Sequence, residues 1–244
     1  MPRLLLAAIF VLLSQPMHAA DTDDWIDLLK IGSDSPWRKV DPGWITAREV
    51  TLDSERPTRL KTTPDESGLI WVNGTTGRLA NLITTQSFRD VEVHVEFLIA
   101  QRSNSGIKFH AVYEIQILDS YGKKDDALTG NDCGGIYPRA ELRPKYHHLD
   151  NGIPPRVNAA KPAGEWQTLI ATFRSPRFDS KGEKTENAKI VKAILNGQVI
   201  HEDQELKTPT GSNWSIKETP TGPFMLQADH GPVAFRNVRI REIE

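Results

Sequence analysis

The chain has 244 residues, with 30 Lys and Arg against 32 Asp and Glu and a formal net charge of −2. That near-neutral balance, with no basic block, argues against nucleic acid, whose binding needs a basic stripe. The single cysteine, Cys133, excludes an internal disulfide and a cysteine-rich zinc site, so stability must come from burial.

In chain order, residues 1–20 read as a signal peptide. Arg3 supplies a positive start, Leu4 to Leu13 an apolar stretch too short to span a bilayer comfortably, and Ala19 and Ala20 small residues for cleavage. Met17 or His18 falls at the position three before the cut and is not small, so the cut itself is left open. No cysteine follows to carry a lipid, and no later stretch is long and apolar enough to cross a membrane. The expectation is an exported protein, periplasmic or extracellular, with one domain over residues 21–244 and no membrane partner. The roughly 220 residues left after cleavage are enough for one sizeable core.

Asp24–Ile31 is the one helix candidate, ended by Gly32. Period-two alternation then predicts strands over Leu79–Ile83, Val91–Ile99, Gly106–Phe109, Tyr113–Leu118, Trp166–Phe173, Ala188–Leu195, Gln198–His201, Pro223–Gln227 and Ala234–Ile240, with weaker signals at Ile45–Leu52 and Leu69–Val72. Asn196-Gly197 is a two-residue hairpin signal, since both positions must tolerate positive φ. Many strands with almost no helix predict an all-β fold, a two-sheet jelly-roll sandwich. Residues 120–163 form the irregular region, a stretch long enough to be functional, as a wall or lid over the hairpin that precedes it.

That hairpin, Asn104 to Ser120, carries the strongest chemical signal. Alternation puts Ile107 and Phe109 on one face and Lys108 and His110 on the other. After the turn, Tyr113, Ile115 and Ile117 share a face opposite Glu114 and Gln116. A cation, an imidazole, a carboxylate and an amide then crowd one side of a sheet, a set suited to an oxygen-rich ligand. Val91–Ile99 turns Glu92, His94 and Glu96 away from its apolar face, and the strand from Pro223 ends with Gln227 and Asp229 on one side. If these strands are neighbours, His94, Glu96, Lys108, His110, Glu114, Gln116, Gln227 and Asp229 line one groove. Solvated strand faces and an Asp229-His230-Gly231 turn are the plainer readings of the same residues. Cys133 reads as a buried small residue, Trp166 as core, and the adjacent His147 and His148 as pointing different ways in a strand rather than as a metal pair. Tyr121, Tyr137 and Tyr146 read as loop-packing aromatics or as sugar contacts. Asn73-Gly-Thr and Asn213-Trp-Ser match the glycosylation sequon by pattern alone. No Gly-x-Ser-x-Gly elbow, phosphate loop or His-Glu-x-x-His helix is present.

Asn104-Ser-Gly-Ile, Tyr113-Glu-Ile-Gln-Ile-Leu-Asp-Ser, Gly134-Gly-Ile-Tyr, Gly164-Glu-Trp-Gln-Thr, the Leu195-Asn-Gly hairpin, and Leu226-Gln-Ala-Asp-His-Gly with Phe235-Arg-Asn-Val occur in this order. On these motifs the chain resembles the 3-keto-disaccharide hydrolase family over about residues 22–244, a family built on a concanavalin-like jelly roll of the lectin and glucanase type. It departs from the pattern at His110, where members commonly carry Arg, and at Ala228, inserted before Asp229-His230. The resemblance implies a carbohydrate substrate whose sugar has a ketone at C3. Cleavage by elimination, hydrolysis or both then needs a base near C2, an electrophile at the C3 oxygen and an acid for the leaving group. Glu114 or His110 is the candidate base. Lys108 or a divalent metal is the candidate cation, with metal ligands unassigned and no cofactor otherwise called for by the motifs. Asp229 or His230 orients hydroxyls or serves as acid. Gln116, Gln227, His94, Glu96 and Tyr137 are the candidate substrate contacts. A non-catalytic carbohydrate-binding module stands as the alternative. An ordinary retaining glycosidase is a third reading. Its nearest carboxylate pair, Glu114 and Asp119, would face opposite sides of a regular strand.

Overall fold

The computed structural model describes residues 24–30, 34–66 and 68–244. The expected signal peptide lies outside the described residues, as do Ile31 and Gly32 of the expected helix. The strands are β1 Ile26–Asp27, β2 Ile45–Leu52, β3 Leu60–Pro64, β4 Ile70–Val72, β5 Leu82–Phe88, β6 Val91–Ile99, β7 Asn104–Phe109, β8 Tyr113–Leu118, β9 Ala140–Glu141, β10 His147–His148, β11 Gln167–Arg174, β12 Arg177–Phe178, β13 Lys184–Glu186, β14 Ala188–Leu195, β15 Gln198–Leu206, β16 Gly222–Leu226 and β17 Val233–Glu242. A large antiparallel sheet runs β15-β14-β11-β6-β17-β4-β2-β3, with β1 added on β17. A smaller sheet runs β5-β16-β7-β8. This is the expected two-sheet, all-β sandwich.

The core lies between the sheets. From the smaller sheet come Ile107, Phe109, Tyr113, Ile115, Ile117, Phe224 and Leu226, and from the larger Val93, Val95, Phe97, Leu169, Ala171 and Phe173, all buried. Phe109 stacks on Phe173 with ring centroids 4.7 Å apart, which joins the two layers at one point. The alternation in β6, β7 and β8 therefore assigns one face to this core, as the sequence implies.

The helix expected over Asp24–Ile31 is not formed. Ile26 pairs with Ile240 and Leu28 N donates to Val238 O at 2.8 Å, while the Trp25 ring lies under the Arg239 and Arg241 guanidiniums. An isolated helix of two turns has too few hydrogen bonds to offset its nucleation cost. The end of β17 is left open because β4 covers only Ala234 and Phe235, and it offers the segment a ready ladder.

Two histidines are buried within this frame. His201 Nε2 donates to Gly134 O at 2.8 Å, and His110 Nε2 sits 3.0 Å from Ser175 Oγ. Burial holds both imidazoles below their ordinary value of 6.5. A depressed histidine contributes its full stability above the unfolded value and loses it as pH falls through the folded one. The urea midpoint is therefore expected to fall between about pH 7 and about pH 5, and His201→Gln should reduce that slope. An unchanged slope in the variant would show that His201 is not held neutral.

Candidate active site

A cavity of about 430 Å³ opens on the outer face of the smaller sheet. It is lined by Asn104 and Lys108 of β7, Glu114 of β8, Gln227 and His230 beyond β16, and residues of two loops. The register explains the floor. Lys108 pairs directly with Glu114 across β7 and β8, and Met225 of β16 pairs with Lys108. Cross-strand partners share a face, so the cation and the carboxylate meet there. Lys108 Nζ lies 2.9 Å from Glu114 Oε2, with side-chain exposures of only 12% and 3%. Burial raises the Glu114 carboxyl above the ordinary carboxylate range, a shift that Lys108 and His230 oppose.

Gly106 makes room for that carboxyl. It precedes Lys108 by two positions on the same face, and a Cβ there would come within 2.2 Å of Glu114 Oε1. Gln116 continues the face of Glu114, but its Nε2 is 3.3 Å from Asn131 Oδ1 and it stands outside the cavity lining.

Beyond β16 the chain is locked to β7. Gln227 N donates to Gly106 O at 2.9 Å, and Ser105 Oγ donates to Gln227 O at 2.7 Å. The Gln227 side chain is buried, and its Oε1 has no hydrogen-bond partner. The following turn is held by Asn73, whose Nδ2 donates to Ala228 O and Gly231 O. Asn73 is therefore fully buried and committed, so the sequon there is structural rather than a glycan site. Gly231 passes so close to β7 that a Cβ would lie 2.4 Å from Ser103 Oγ. This close approach brings Asp229 and His230 to the cavity. His230 Nδ1 donates to Asp229 Oδ1 at 2.6 Å, which assigns the Nδ1 proton and leaves Nε2 as the ring nitrogen available for proton exchange.

The irregular region supplies one wall. Gly134 N donates to Gln116 O and Gln116 N to Gly135 O, each at 2.8 Å, and Tyr137 N donates to Glu114 O at 3.1 Å, so the segment runs along the free edge of β8. That pairing sets Tyr137 beside Glu114. The Tyr137 hydroxyl bonds Tyr146 at 2.6 Å and lies 3.1 Å from His148 Nε2. Burial and the bond to Tyr146 raise the Tyr137 phenol, keeping it protonated. The adjoining segment, Gly211 to Asn213, pairs with residues 138–140 and is docked by Thr210, whose Oγ1 accepts from Glu114 N and donates to Val112 O. Farther along, Glu218 accepts from the Tyr113 hydroxyl at 2.5 Å and pairs with Lys184.

The single groove expected from the sequence is corrected at four residues, of which Gln116, already placed outside the lining, is one. His94 and Glu96 are on β6 of the other sheet, where Glu96 is held by Arg236 and Asn237. His110 has left the strand at φ 52°, and its ring packs edge-on to Phe173 and beside Ser175 instead of joining Lys108. The structure brings together Lys108, Glu114, Gln227, Tyr137 and His230, with Asp229 behind His230. Asn104, Leu142 and Asn213 also line the cavity and were not among the expected contacts, and they are joined by Tyr146, for which the sequence left loop packing and sugar contact both open. Asn104 shares the parity of Lys108, so alternation alone could have found it. Asp119 is spent on Arg102 N at 2.9 Å and is not part of the lining, so no second carboxylate joins Glu114 from β8. Among the described residues no group of three His, Cys, Asp or Glu side chains is placed to hold a metal ion.

Residues 21–241 match the family model described as the 3-keto-alpha-glucoside-1,2-lyase-like domain. No curated protein matches the chain. Among solved structures, a candidate glycosyl hydrolase from Parabacteroides distasonis is 22% identical with a TM-score of 0.57, over 91% of this chain and 84% of that one. A second from the same organism is 18% identical with a TM-score of 0.48, over 73% of this chain and 89% of its own. At 22% identity the first likeness is one of fold.

Proposed function

The chain belongs to the 3-keto-alpha-glucoside-1,2-lyase-like family, and from that premise we propose that it cleaves 3-keto-glycosides by elimination across C1 and C2. Membership makes it a carbohydrate-active domain; the keto substrate and the chemistry are our reading. The observation that carries it is the buried pair Lys108–Glu114, 2.9 Å apart on the cavity floor. In a 3-keto sugar the acidic C2–H and the C3 oxygen stand on adjacent carbons. A base and a cation roughly 3 Å apart therefore reach both at once.

In this reading Glu114 takes the C2 proton, and the C–H electron pair becomes the C2=C3 enolate, whose oxygen is held by the Lys108 ammonium. The enolate reforms the ketone, a C1=C2 double bond forms and the C1–O bond breaks. The leaving oxygen takes a proton from the His230 imidazolium, whose ring Asp229 orients. Water then adds across the new double bond, its oxygen to C1 and the proton held by Glu114 to C2, while the water's own proton returns to His230, which completes a net hydrolysis and restores both groups. Gln227 Oε1, buried without a partner, and the Asn104 amide suit the sugar hydroxyls, and Tyr137 suits them from the wall. We also propose that the protein works outside the cytoplasm, on the apolar run Leu4 to Leu13.

The test compares a 3-keto-glucoside with its unoxidised parent, with and without a chelator. Aglycone release from the keto sugar alone is the expected result. Binding of either sugar without product would make this a carbohydrate-binding module, and cleavage of the parent would point to an ordinary glycosidase.

A further inference from the structure

We propose that the leaving-group side of the cavity is built for a planar, apolar aglycone, a phenol rather than a second sugar. The inference rests on the proposed function for its chemistry but has its own observations. β9 and β10 pair as a small hairpin, with Glu141 opposite His147, and residues 142–146 form its tip over the cavity. The hairpin is anchored at its base. Ala140 N donates to Gly211 O at 3.0 Å, Leu149 N donates to Arg139 O at 2.8 Å, and Arg139 pairs with Asp150 at 2.7 Å.

The tip carries two large apolar side chains that the fold leaves open. Leu142 is 63% exposed and Tyr146 is 48% exposed, and both line the cavity. The Tyr146 hydroxyl is already bonded to Tyr137, and its ring is held edge-on by His148 at 5.6 Å. What this wall offers a ligand is therefore a ring face and a branched alkyl group. The cavity is graded, with a charged floor of Lys108 and Glu114 and, at the hairpin tip, the side chains of Leu142 and Tyr146, while Ser212 and Asn213 are the polar groups of the adjoining loop. A second sugar carries a hydroxyl on nearly every carbon, and Leu142 could satisfy none of them. An aromatic aglycone would be covered by both of these side chains and brings no hydroxyl that they leave unmatched.

Two measurements test this. For turnover, phenyl 3-keto-glucoside and a 3-keto-disaccharide are compared in the parent chain and in Leu142→Ser. The variant should lower the phenyl-to-disaccharide ratio of kcat/KM about tenfold, the size expected for losing one apolar contact. Taking the ratio across variants cancels the intrinsic reactivity of the two leaving groups. For binding, phenyl and methyl glucoside are titrated against both chains, which needs no turnover. A phenyl preference that Leu142→Ser abolishes supports the inference even if no keto sugar is cleaved, in which case it is the proposed reaction that fails. Equal affinity for the two glucosides, or an unchanged turnover ratio, overturns the inference whatever the fate of the reaction.

Discussion

Glu114→Gln is expected to lower kcat/KM on a 3-keto-glucoside by about 10³-fold, the usual range for removing a positioned general base. The amide keeps the shape of the side chain and can still accept from Lys108, so the loss should fall on proton abstraction rather than on folding. The pH profile gives the second readout. Burial raises the Glu114 carboxyl, with Lys108 only partly opposing it. Below its folded value the group is protonated and cannot take the C2 proton. The parent's kcat/KM should therefore rise with pH along a limb lying above the ordinary carboxylate range, and the residual activity of Glu114→Gln should lack that limb. Stability carries the opposite sign. A raised carboxyl contributes most below its unfolded value and loses that contribution as pH climbs through the folded one. The variant's stability relative to the parent should thus increase with pH. Turnover within threefold of the parent would remove Glu114 from the mechanism.

The fold was legible because burial is periodic. Val91–Ile99 and Tyr113–Leu118 alternate cleanly, and their observed bounds coincide with the expected ones. Alternation fixes which residues share a face of one strand, but it carries no information on strand order. His94 and Glu96 have the right parity and lie in the wrong sheet for that reason. His110 failed differently. Parity holds only while the chain stays extended; His110 lies one residue past the strand end at Phe109, and His110 and Ala111 both have φ above 50°, so strand parity does not reach it. Lys108 and Glu114 were predictable because a tight hairpin sets its own register. Tyr137, Tyr146 and Leu142 reach the site through an irregular segment that pairs with the edge of β8. The sequence could mark that stretch as a wall without saying which of its side chains would face inward.

Gly106→Ala is the second large effect expected, and it separates positioning from folding. No positive φ is required at Gly106, so alanine fits the backbone, and a strand interior ordinarily favours alanine over glycine. The added methyl meets Glu114 Oε1 at 2.2 Å, with Cδ at 3.0 Å and Cγ at 3.1 Å. The nearest of these is the end of a flexible side chain, which can swing away. The fold should therefore survive with little change in Tm, while the carboxyl moves off the position it shares with Lys108. A displacement of about 1 Å at a reacting group costs on the order of 10²-fold in rate, so kcat should fall by that amount with KM much less affected. The two substitutions must then be non-additive, because they act on one group. In a Glu114→Gln background, where no carboxylate is left to misplace, Gly106→Ala should cost almost nothing further. A full additional 10²-fold loss in that background would mean that Gly106 serves the sheet or the sugar directly, and that the space it leaves for Glu114 is incidental.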